Sequence, residues 1–578
     1  MADVTPRRRI GVLLESLDDE YEAGVLQGAH ERATREGAVI VAFAGGVVNA
    51  EWSKAQNVVF DLVSPDNVDG LVVLSSAIGN EVGSEGLAAW LQRFHPLPMT
   101  AIGAPVPGIV HTGIDNESGL RAAVRHLIVE HQCRRFAFIR GPRASAEAEE
   151  RYDAFVAELG DSQLSVDSRF VVDGDYRLES GAEAVKTLLE KRRINPASLD
   201  AIVAANDYMA LGAQDELLRR GLAVPDGIRV VGFDDIRAAS QVRPPLTTVR
   251  QPLRELGAAG VEVVLATLRK KEVTAQRLPA EVVIRQSCGC TPEIAPLNLS
   301  RRFEAQSSEQ SLEIALLRAR QPLLVEVLRA SRGTLAGGGS GWEAHLIEAL
   351  YAEARGEHGA FLRGLEQLVR RLLRAGNDLV ALQDVITALR DNVLHCVRGD
   401  SAARDRIEDA FHGARLCAVA HVTRQAVELA TKSAAHLRQL SRGAEFSLLA
   451  QDESLSKLAA DHMPALGIDA CFLMAFTEPG RATPESELVA GFARSEVFSG
   501  RARFPTQALL PPYTIDLATR SVVIEPVVFA REILGFAVFE YGTSDGSVYE
   551  DARDTFGTTI KAGLLARELA RLRRAHGE

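Results

Sequence analysis

Polar side chains directly follow two predicted strands in the middle of the chain. The run Ala201–Ala204 is a short apolar strand followed by Asn206 and Asp207, and the strand Arg229–Phe233 ends at Asp234. In open α/β sheets, ligands bind outside the carboxyl ends of parallel strands. Carboxylate and amide groups placed there can hydrogen-bond a small polar molecule. The three polar residues are therefore candidate ligand-binding residues, although Asp207 could instead serve as the N-cap of the helix that follows.

Chain length and charge limit the class of protein. With 578 residues the chain is too long for one core and should hold several domains. Its net charge of −12 argues against broad electrostatic binding to nucleic acid, which needs basic surface. No apolar run approaches the roughly 18–20 residues that cross a bilayer, and the N-terminus lacks a signal-peptide core. Six cysteines in so long a chain do not indicate a disulfide framework. We expect a cytoplasmic protein without membrane contact.

Strand and helix patterns alternate through the first 290 residues. This alternation predicts parallel sheets covered by helices, and its repetition before and after about residue 110 predicts two similar lobes with a cleft between them. The predicted strands are Ile10–Leu14, Val39–Phe43, Gly70–Leu74, Met99–Ile102, Phe136–Ile139, Ala201–Ala204 and Arg229–Phe233, and the predicted helices include Tyr21–Glu36, Gly119–His131, Arg151–Leu159 and Ser180–Lys191.

Several motifs in this part resemble, in order, the effector-binding region of the LacI/GalR repressor family. They are IGVLLESLDDEYEAGVLQGAHERATREG, VDGLVVLSS, DNESGLRAAVRHLIVEHQCRRFAFIRGP, RYDAF, GDYRLESG, NDYMALGA, GFDD and PPLTTVRQP. Each motif alone is weak, but their shared order and spacing are specific. The resemblance covers about half the chain and implies a two-lobed, periplasmic-binding-protein-like sensor over residues 9–291.

The resemblance also implies roles for individual residues of the second lobe. Arg151 lies at the arginine of the family's Arg-x-x-Gly-aromatic motif, here with Ala154 in place of the glycine. It would donate bidentate hydrogen bonds to ligand oxygens. Tyr176 would stack on a sugar or base. Asn206, Asp207, Asp234 and Gln251 would receive polar ligand groups. Arg151 could instead lie on a helix surface, Tyr176 could be core packing, and Gln251 could be structural.

The first lobe supplies further candidates, and the chain also departs from the family pattern. Tyr21 and the pair Ser75-Ser76 lie at positions that correspond to the cleft. Family members normally begin with a helix-turn-helix, whereas here the first strand starts at about Ile10 after a lead-in of residues 1–8. We therefore expect no direct DNA binding.

Two cysteine patterns raise the question of a metal site. Cys288-x-Cys290 supplies two ligands, whereas structural zinc takes four, and no second Cys or His pair lies nearby in the sequence. Cys417 and His421 share one predicted helix face, without a further recognisable ligand pattern. We expect ordinary core or surface residues in both cases, and no metal or cofactor.

The second half of the chain changes character twice. Residues 300–440 are rich in Ala, Leu, Arg and Glu at helical spacing, punctuated by Pro322 and a glycine-rich loop, and predict a helical bundle. Residues 445–578 include two strands, Ser521–Phe529 and Ile533–Tyr541, in a predicted hairpin, VVIEPVVFAREILGFAVFEYG, which resembles a GAF domain. An apolar stripe on the last predicted helix, Tyr549–Arg574, favours a homodimer.

These features predict a regulatory protein. A small polar effector, sugar-like or nucleoside-like, would bind between the lobes, and the change would pass to the C-terminal modules and a downstream signalling partner. The alternative is a LacI-family-like transcription regulator acting on DNA directly or through a partner. An enzyme is not expected, because the sequence has no Gly-Gly-Asp/Glu-Glu-Phe loop, no glycine-rich ATP-binding motif and no nucleophile elbow.

Overall fold

The protein consists of two compact units. The computed structural model describes residues 7–290, 312–331, 335, 341–374, 379, 381–397, 400–419, 421, 452–478, 480–494, 496–500, 502–529, 531–543, 545–558 and 561. Residues 1–293 together with 436–578 form the first unit, and residues 294–435 form the second. Among the described helices, none has the length and apolar character that crossing a membrane requires. Most of the lead-in lies outside the described residues.

Twelve strands form the sensor part of the first unit. They are β1 Arg9–Leu14, β2 Val39–Ala44, β3 Gly70–Leu74, β4 Met99–Ile102, β5 Val110–Ile114, β6 Phe136–Arg140, β7 Val171–Asp173, β8 Ala201–Ala204, β9 Arg229–Val231, β10 Thr248–Arg250, β11 Gln276–Leu278 and β12 Glu281–Val283. All seven predicted strands are present. The five that the sequence analysis missed are mostly short and partly exposed, so they lack a continuous apolar run.

Nine helices connect these strands. They are α1 Glu20–Arg35, α2 Ser75–Ile78, α3 Gly83–Leu91, α4 Asn116–Val129, α5 Ala146–Asp161, α6 Leu178–Lys186, α7 Asp207–Arg219, α8 Arg237–Gln241 and α9 Leu253–Leu268. Several of these helices begin at a side-chain N-cap. In each case the capping side chain accepts a hydrogen bond from a backbone N–H in the first turn of the helix, and the capping residues are Asp19, Asp115, Ser145 and Asn206.

The strands form two lobes, as predicted. In the first lobe the parallel order is β11-β5-β4-β3-β1-β2, and in the second lobe it is β7-β6-β8-β9. The chain passes from the first lobe to the second after β5, returns between β10 and α9, and crosses again between β11 and β12. β10 and β12 pair antiparallel. A mixed α/β protein with parallel sheets is therefore confirmed for this part.

The second unit is helical among its described residues. It contains α10 Leu312–Ser331, α11 Trp342–Ala354, α12 Ala360–Arg374, α13 Ala381–Cys396 and α14 over residues 401–419. Their apolar faces meet in one buried cluster that includes Leu350, Phe361, Leu389 and Phe411. Pro322 was expected to interrupt these helices, but it lies inside α10. The expectation was wrong, and a proline inside a helix removes one backbone hydrogen bond. Of the glycine-rich loop, residues 337–340 lie outside the described residues.

The C-terminal part of the first unit adds six strands. They are β13 Ala470–Phe476, β14 Glu485–Ala493, β15 Glu496–Ser499, β16 Arg503–Pro505, β17 Val522–Phe529 and β18 Glu532–Glu540, with α15 Asp452–His462 before them and α16 over residues 547–558 after them. β17 and β18 are antiparallel neighbours at the predicted hairpin. The predicted terminal helix beyond residue 561, including most of its apolar stripe, falls outside the described residues.

These strands continue the sheet of the first lobe. β17 pairs in parallel with β2, so that Val522 lies opposite Val41 and Ile524 opposite Phe43, and a single twelve-stranded sheet results. Every residue of β2 is buried, and without β17 its outer edge would expose unpaired backbone groups. The sequence analysis expected a separate C-terminal domain, whereas the structure joins it to the sensor. Strand patterns do not specify which distant strand pairs with which edge.

Side chains also pack across the junction between β2 and the C-terminal strands. Val41 and Phe43 of β2 belong to one buried apolar cluster with Phe472, Phe536 and Val538 of the C-terminal strands. Two further contacts cross the junction: the Ile40 N–H donates to Ser521 Oγ at 3.0 Å, and the rings of His30 and Tyr541 lie 4.6 Å apart. The first lobe and the C-terminal strands therefore share one core.

Candidate functional site

Arg151 lies at the centre of a buried polar cluster in the second lobe. Its Nε donates to Asn116 Oδ1 at 2.9 Å, and its Nη1 donates to the Ala205 carbonyl at 2.7 Å. Nη1 also lies 3.5 Å from Asp234 Oδ1, and the guanidinium carbon lies 3.9 Å from the centre of the Phe233 ring. Only 4% of the residue is exposed. The alternative of a surface helix position is therefore wrong.

Asp234 lies three residues after the end of β9 and adopts an unusual backbone conformation, with φ of 120°. Its Oδ1 accepts a hydrogen bond from Gln251 Nε2 at 2.5 Å. Burial raises the pKa of Asp234 to about 7, although Arg151 and Gln251 act in the opposite direction. Gln251 Oε1 is buried and has no hydrogen-bond partner among the described residues. A strained acidic residue beside an unsatisfied acceptor is a feature more common at binding sites than in ordinary cores.

Asn206 and Asp207 have their polar atoms engaged within the fold. Asn206 Oδ1 caps α7 by accepting from the Met209 N–H at 3.0 Å, and its Nδ2 donates to the Tyr176 carbonyl at 2.9 Å. Asp207 is fully buried and accepts from Thr248 Oγ1 at 2.6 Å and from the Ile236 N–H. The N-cap is therefore Asn206, not Asp207. A ligand role for either residue remains a prediction.

Tyr176 also adopts a positive φ, of 70°. Its hydroxyl lies 3.0 Å from Ser145 Oγ, the residue that caps α5. The ring lies against Gly141, where a Cβ atom would be 2.5 Å from it, so the glycine makes room for the ring. The tyrosine is thus held at the start of α5, close to Arg151.

The first lobe contributes Tyr21 and Ser76. The Tyr21 hydroxyl lies 3.1 Å from Ser76 Oγ. Ser75, the other serine of the predicted pair, donates to the carbonyls of Ile102 at 2.8 Å and Ala104 at 2.5 Å, within its own lobe. The structure therefore places the Ser76 hydroxyl, rather than that of Ser75, beside the predicted tyrosine.

Glu147 lies where the two lobes meet and was not predicted from the sequence. Its carboxyl group lies close to Ser76 of the first lobe and to Asn116 of the second. Burial raises the pKa of Glu147, although Arg151 lowers it in part. The predicted helix began at Arg151, one turn too late. Ser145 followed by acidic residues is a helix-start pattern that could have revealed the missing turn.

A small pocket lies between the lobes next to this contact. Ser76, Asn80 and Ser84 line it from the first lobe, and Ala144–Ala146 line it from the second. Its wall includes Ser145, which contacts the Tyr176 hydroxyl. The buried cluster around Arg151 and the pocket are therefore adjacent, and both lie at the meeting of the lobes.

The loop after β1 links this region to the C-terminal helix. Glu22 accepts hydrogen bonds from the N–H groups of Glu15 at 2.8 Å and Ser16 at 2.7 Å. Glu550 of α16 accepts from the Leu17 N–H at 3.0 Å, from the Asp18 N–H at 3.2 Å and from the Ser16 hydroxyl. Burial raises the pKa of Glu15 to about 7. The loop that leads to Tyr21 is therefore held by carboxylates from both sides.

Comparison with known proteins identifies the class of this domain. Residues 124–288 match the family profile described as a periplasmic binding protein-like domain. This range contains β6–β12, including the strands of the second lobe, and most of the cluster around Arg151. The structure and the profile together show a periplasmic-binding-protein-like domain.

The relatives that match are repressors by name. The chain is 31% identical over 194 residues to the Ribose operon repressor of Halalkalibacterium halodurans, which covers 33% of this chain and 56% of that protein. It is 29% identical over 285 residues to the HTH-type transcriptional repressor PurR of Aliivibrio fischeri, covering 48% of this chain and 81% of that protein. The chain thus spans little more than half the length of the first of these relatives.

One solved structure is similar to part of this chain. The crystal structure of a LacI family transcriptional regulator from Mycobacterium smegmatis is 27% identical, with a TM-score of 0.43, and the match covers 49% of this chain and 99% of that one.

Proposed function

We propose that this chain is an effector-responsive regulator of transcription. Its sensor takes up a small polar molecule between the two lobes, at the cluster of Arg151, Asp234 and Gln251 and the facing pair Tyr21 and Ser76. The observation that carries this proposal is the buried pair Arg151–Asp234 beside the unsatisfied Gln251 Oε1. Similarity to proteins named as repressors supports a role in transcription rather than in a separate signalling pathway.

The charges at the site favour a neutral, hydroxyl-rich ligand. The Arg151 guanidinium is already matched by the carboxyl group of Asp234, and Glu147 and Glu15 add further acidic groups nearby. A phosphate or carboxylate ligand would meet these acidic groups at close range. A sugar or nucleoside can accept from Arg151 and donate to Asp234 and Gln251 without adding charge.

Ligand binding would act by shifting how the lobes contact each other. Ser76 lies at the boundary between the lobes, where it is hydrogen-bonded to Tyr21 of its own lobe and lies close to Glu147 of the second lobe. A ligand that inserts its hydroxyl groups there replaces these contacts with its own and changes the relative stability of open and closed forms. Glu550 of α16 holds the loop next to Tyr21, so α16 is the part of this unit that would receive the change.

Ligand binding must also be passed on to DNA. We infer that the protein is a cytoplasmic homodimer that acts on DNA directly or with a partner protein. The GAF-like C-terminal module would supply a contact surface in addition to that of the sensor. The chain is acidic, with net charge −12, which favours action through a partner.

A thermal-shift screen tests the binding role. Purified full-length protein is heated with pentoses, hexoses, nucleosides, purine bases and, as the charged comparison, sugar phosphates. A neutral sugar or nucleoside should raise the melting temperature because it binds only the folded state. If only the phosphorylated compounds stabilise the protein, the neutral-ligand proposal is wrong. If nothing in the screen stabilises it, the cleft is not an effector site for these classes.

Fluorescence anisotropy tests the DNA role. Labelled DNA from the region upstream of the chain's own gene is titrated with protein, with and without the stabilising ligand. Binding that changes with ligand supports direct regulation. Binding to DNA that appears only when a cell extract fraction is added supports action through a partner. If the protein binds the DNA neither alone nor with the extract fraction, the result contradicts a role in transcription.

A further inference from the structure

Four metal-ligating side chains meet at the end of the sensor domain, away from the cleft residues. Cys288 Sγ lies 3.5 Å from His126 Nε2, and Cys290 Sγ lies 3.5 Å from His126 Nε2 and 3.4 Å from His131 Nε2. All four ligand atoms lie within 4.8 Å of one another. Among the described residues, this is the one group of three or more His, Cys, Asp or Glu side chains with such spacing.

The separations match those of a tetrahedral zinc site. Zinc binds thiolate sulfur at about 2.3 Å and imidazole nitrogen at about 2.0–2.1 Å, so adjacent sulfur and nitrogen ligands on a tetrahedron lie about 3.6 Å apart. The three sulfur–nitrogen distances are 3.4–3.5 Å. Two thiolates and two imidazoles are a common donor set of structural zinc, and their two negative charges neutralise the ion.

The local backbone brings each pair of ligands together. Gly289 between the cysteines has φ of 103°, and its N–H donates to the Gln286 carbonyl at 2.9 Å. A Cβ at this glycine would lie 3.2 Å from the His131 ring, so only a glycine lets the ring approach freely. This turn places both sulfur atoms on the side of the histidines.

The histidines come from the end of α4. His126 lies in its last turn, and the chain reverses after the helix so that the rings of His126 and His131 lie 5.0 Å apart. Four residues separate them, which is within the spacing of histidine pairs in zinc sites. The sequence analysis considered Cys288 and Cys290 without these partners, because His126 precedes Cys288 by 162 residues.

The chemistry of the four donor atoms also indicates which metal fits. No carboxylate completes the group, so the donor set is suited to zinc rather than to calcium or magnesium.

The geometry points to a structural zinc site formed by His126, His131, Cys288 and Cys290. All four positions of the tetrahedron are taken by protein, which leaves none for water or substrate and excludes a catalytic site. The ion would fasten the closing segment of the sensor to α4. That segment is already attached to the second lobe, since the Val230 N–H donates to the Ser287 carbonyl at 3.0 Å.

Metal analysis of the full-length, untagged protein tests this site. Protein purified with a reductant and dialysed against zinc is measured by elemental mass spectrometry, and cobalt-loaded protein is measured by absorption spectroscopy. We expect about one zinc ion per chain and the cobalt–thiolate charge-transfer bands of a tetrahedral site. The variants C290S and H131N should each lower zinc affinity by about tenfold or more.

The matched control is C133S. Cys133 is buried close to the cluster, but its Sγ contacts the His131 carbonyl at 3.9 Å and is not one of the four ligands, so this variant should keep its zinc. Three outcomes would each contradict a zinc site. The wild type would bind no zinc, the variants C290S and H131N would both retain zinc, or Cys288 and Cys290 would be found as a disulfide in protein that was kept under reductant. Because the cleft residues are not ligands, a failed effector screen leaves this test unaffected.

Discussion

Arg151 and Asp234, which lie 83 residues apart in the chain, meet in the second lobe with Nη1 and Oδ1 at 3.5 Å. The arginine comes from a helix and the aspartate from a strand tip, and the Phe233 ring lies under the guanidinium. Because the arginine is buried, each partner is the other's main compensation for lost solvation. This pair therefore sets both the stability of the lobe and the charge that a ligand meets.

Replacing Arg151 should destabilise the sensor strongly. In R151A the buried Asp234 loses its cationic partner and the Ala205 carbonyl loses a donor, so the free energy of unfolding should fall by about 3 kcal/mol. Urea unfolding measures the change. The control R143A removes an exposed arginine that pairs with Asp173, and it should cost less than about 1 kcal/mol. If R151A and R143A lost the same free energy of unfolding, the buried pair would contribute no more to stability than the exposed one.

The pH dependence of stability should change when Asp234 is neutralised. The folded-state pKa of Asp234 is about 7, above its ordinary value of 3.8, so its contribution to stability is fully present below about pH 4 and is lost as the pH rises through 7. Relative to D234N, the wild type should therefore lose stability between pH 4 and 7, by at most about 1.4 kcal/mol per pH unit. Denaturant midpoints for both proteins across this range measure the difference. Parallel curves would contradict the raised pKa.

The two adjacent serines should have separate effects. S75A removes a hydroxyl that donates to two buried carbonyls of the first lobe, so it should lower the free energy of unfolding by about 1–2 kcal/mol and leave ligand affinity nearly unchanged. S76A removes a hydroxyl that is hydrogen-bonded to Tyr21 within the first lobe and lies close to Glu147 of the second lobe, so it should change ligand affinity more than stability. Calorimetry with the stabilising ligand and urea unfolding separate the two effects. The reverse pattern would restore Ser75 as the cleft residue.

Glu550 should couple the C-terminal helix to the loop near Tyr21. E550A removes the acceptor for the Leu17 and Asp18 N–H groups, so these amides should exchange faster with deuterium and the protein should lose about 2 kcal/mol of stability. Hydrogen exchange followed by mass spectrometry measures the loop directly. D551N, at the exposed neighbouring position, is the control and should leave the exchange unchanged. Unaltered exchange of the loop in E550A would mean that these bonds do not hold it.

Much of the sensor could be predicted from local pattern. Buried strands such as β3 and β8 are continuous apolar runs, and the side chains that follow a strand end at the ligand edge of a parallel sheet whatever the details of the loops. For this reason Asp234 could be identified from the sequence, whereas Arg151 was identified through the resemblance of RYDAF to the repressor family, and the two residues do lie together. Glu147 was missed because the start of a helix is decided by a cap, here Ser145, and terminal residues carry a weak pattern.

The sequence by itself determined the alternation of strands and helices, the two lobes and the candidate residues at the strand tips, because these follow from periodicities of neighbouring residues. Only the tertiary structure decided that β17 completes the edge next to β2 and that His126 and His131 meet Cys288 and Cys290. The reason is the same in both cases. Pairing between segments far apart in the chain depends on how lobes and sheets pack, and local patterns carry no record of the distant partner.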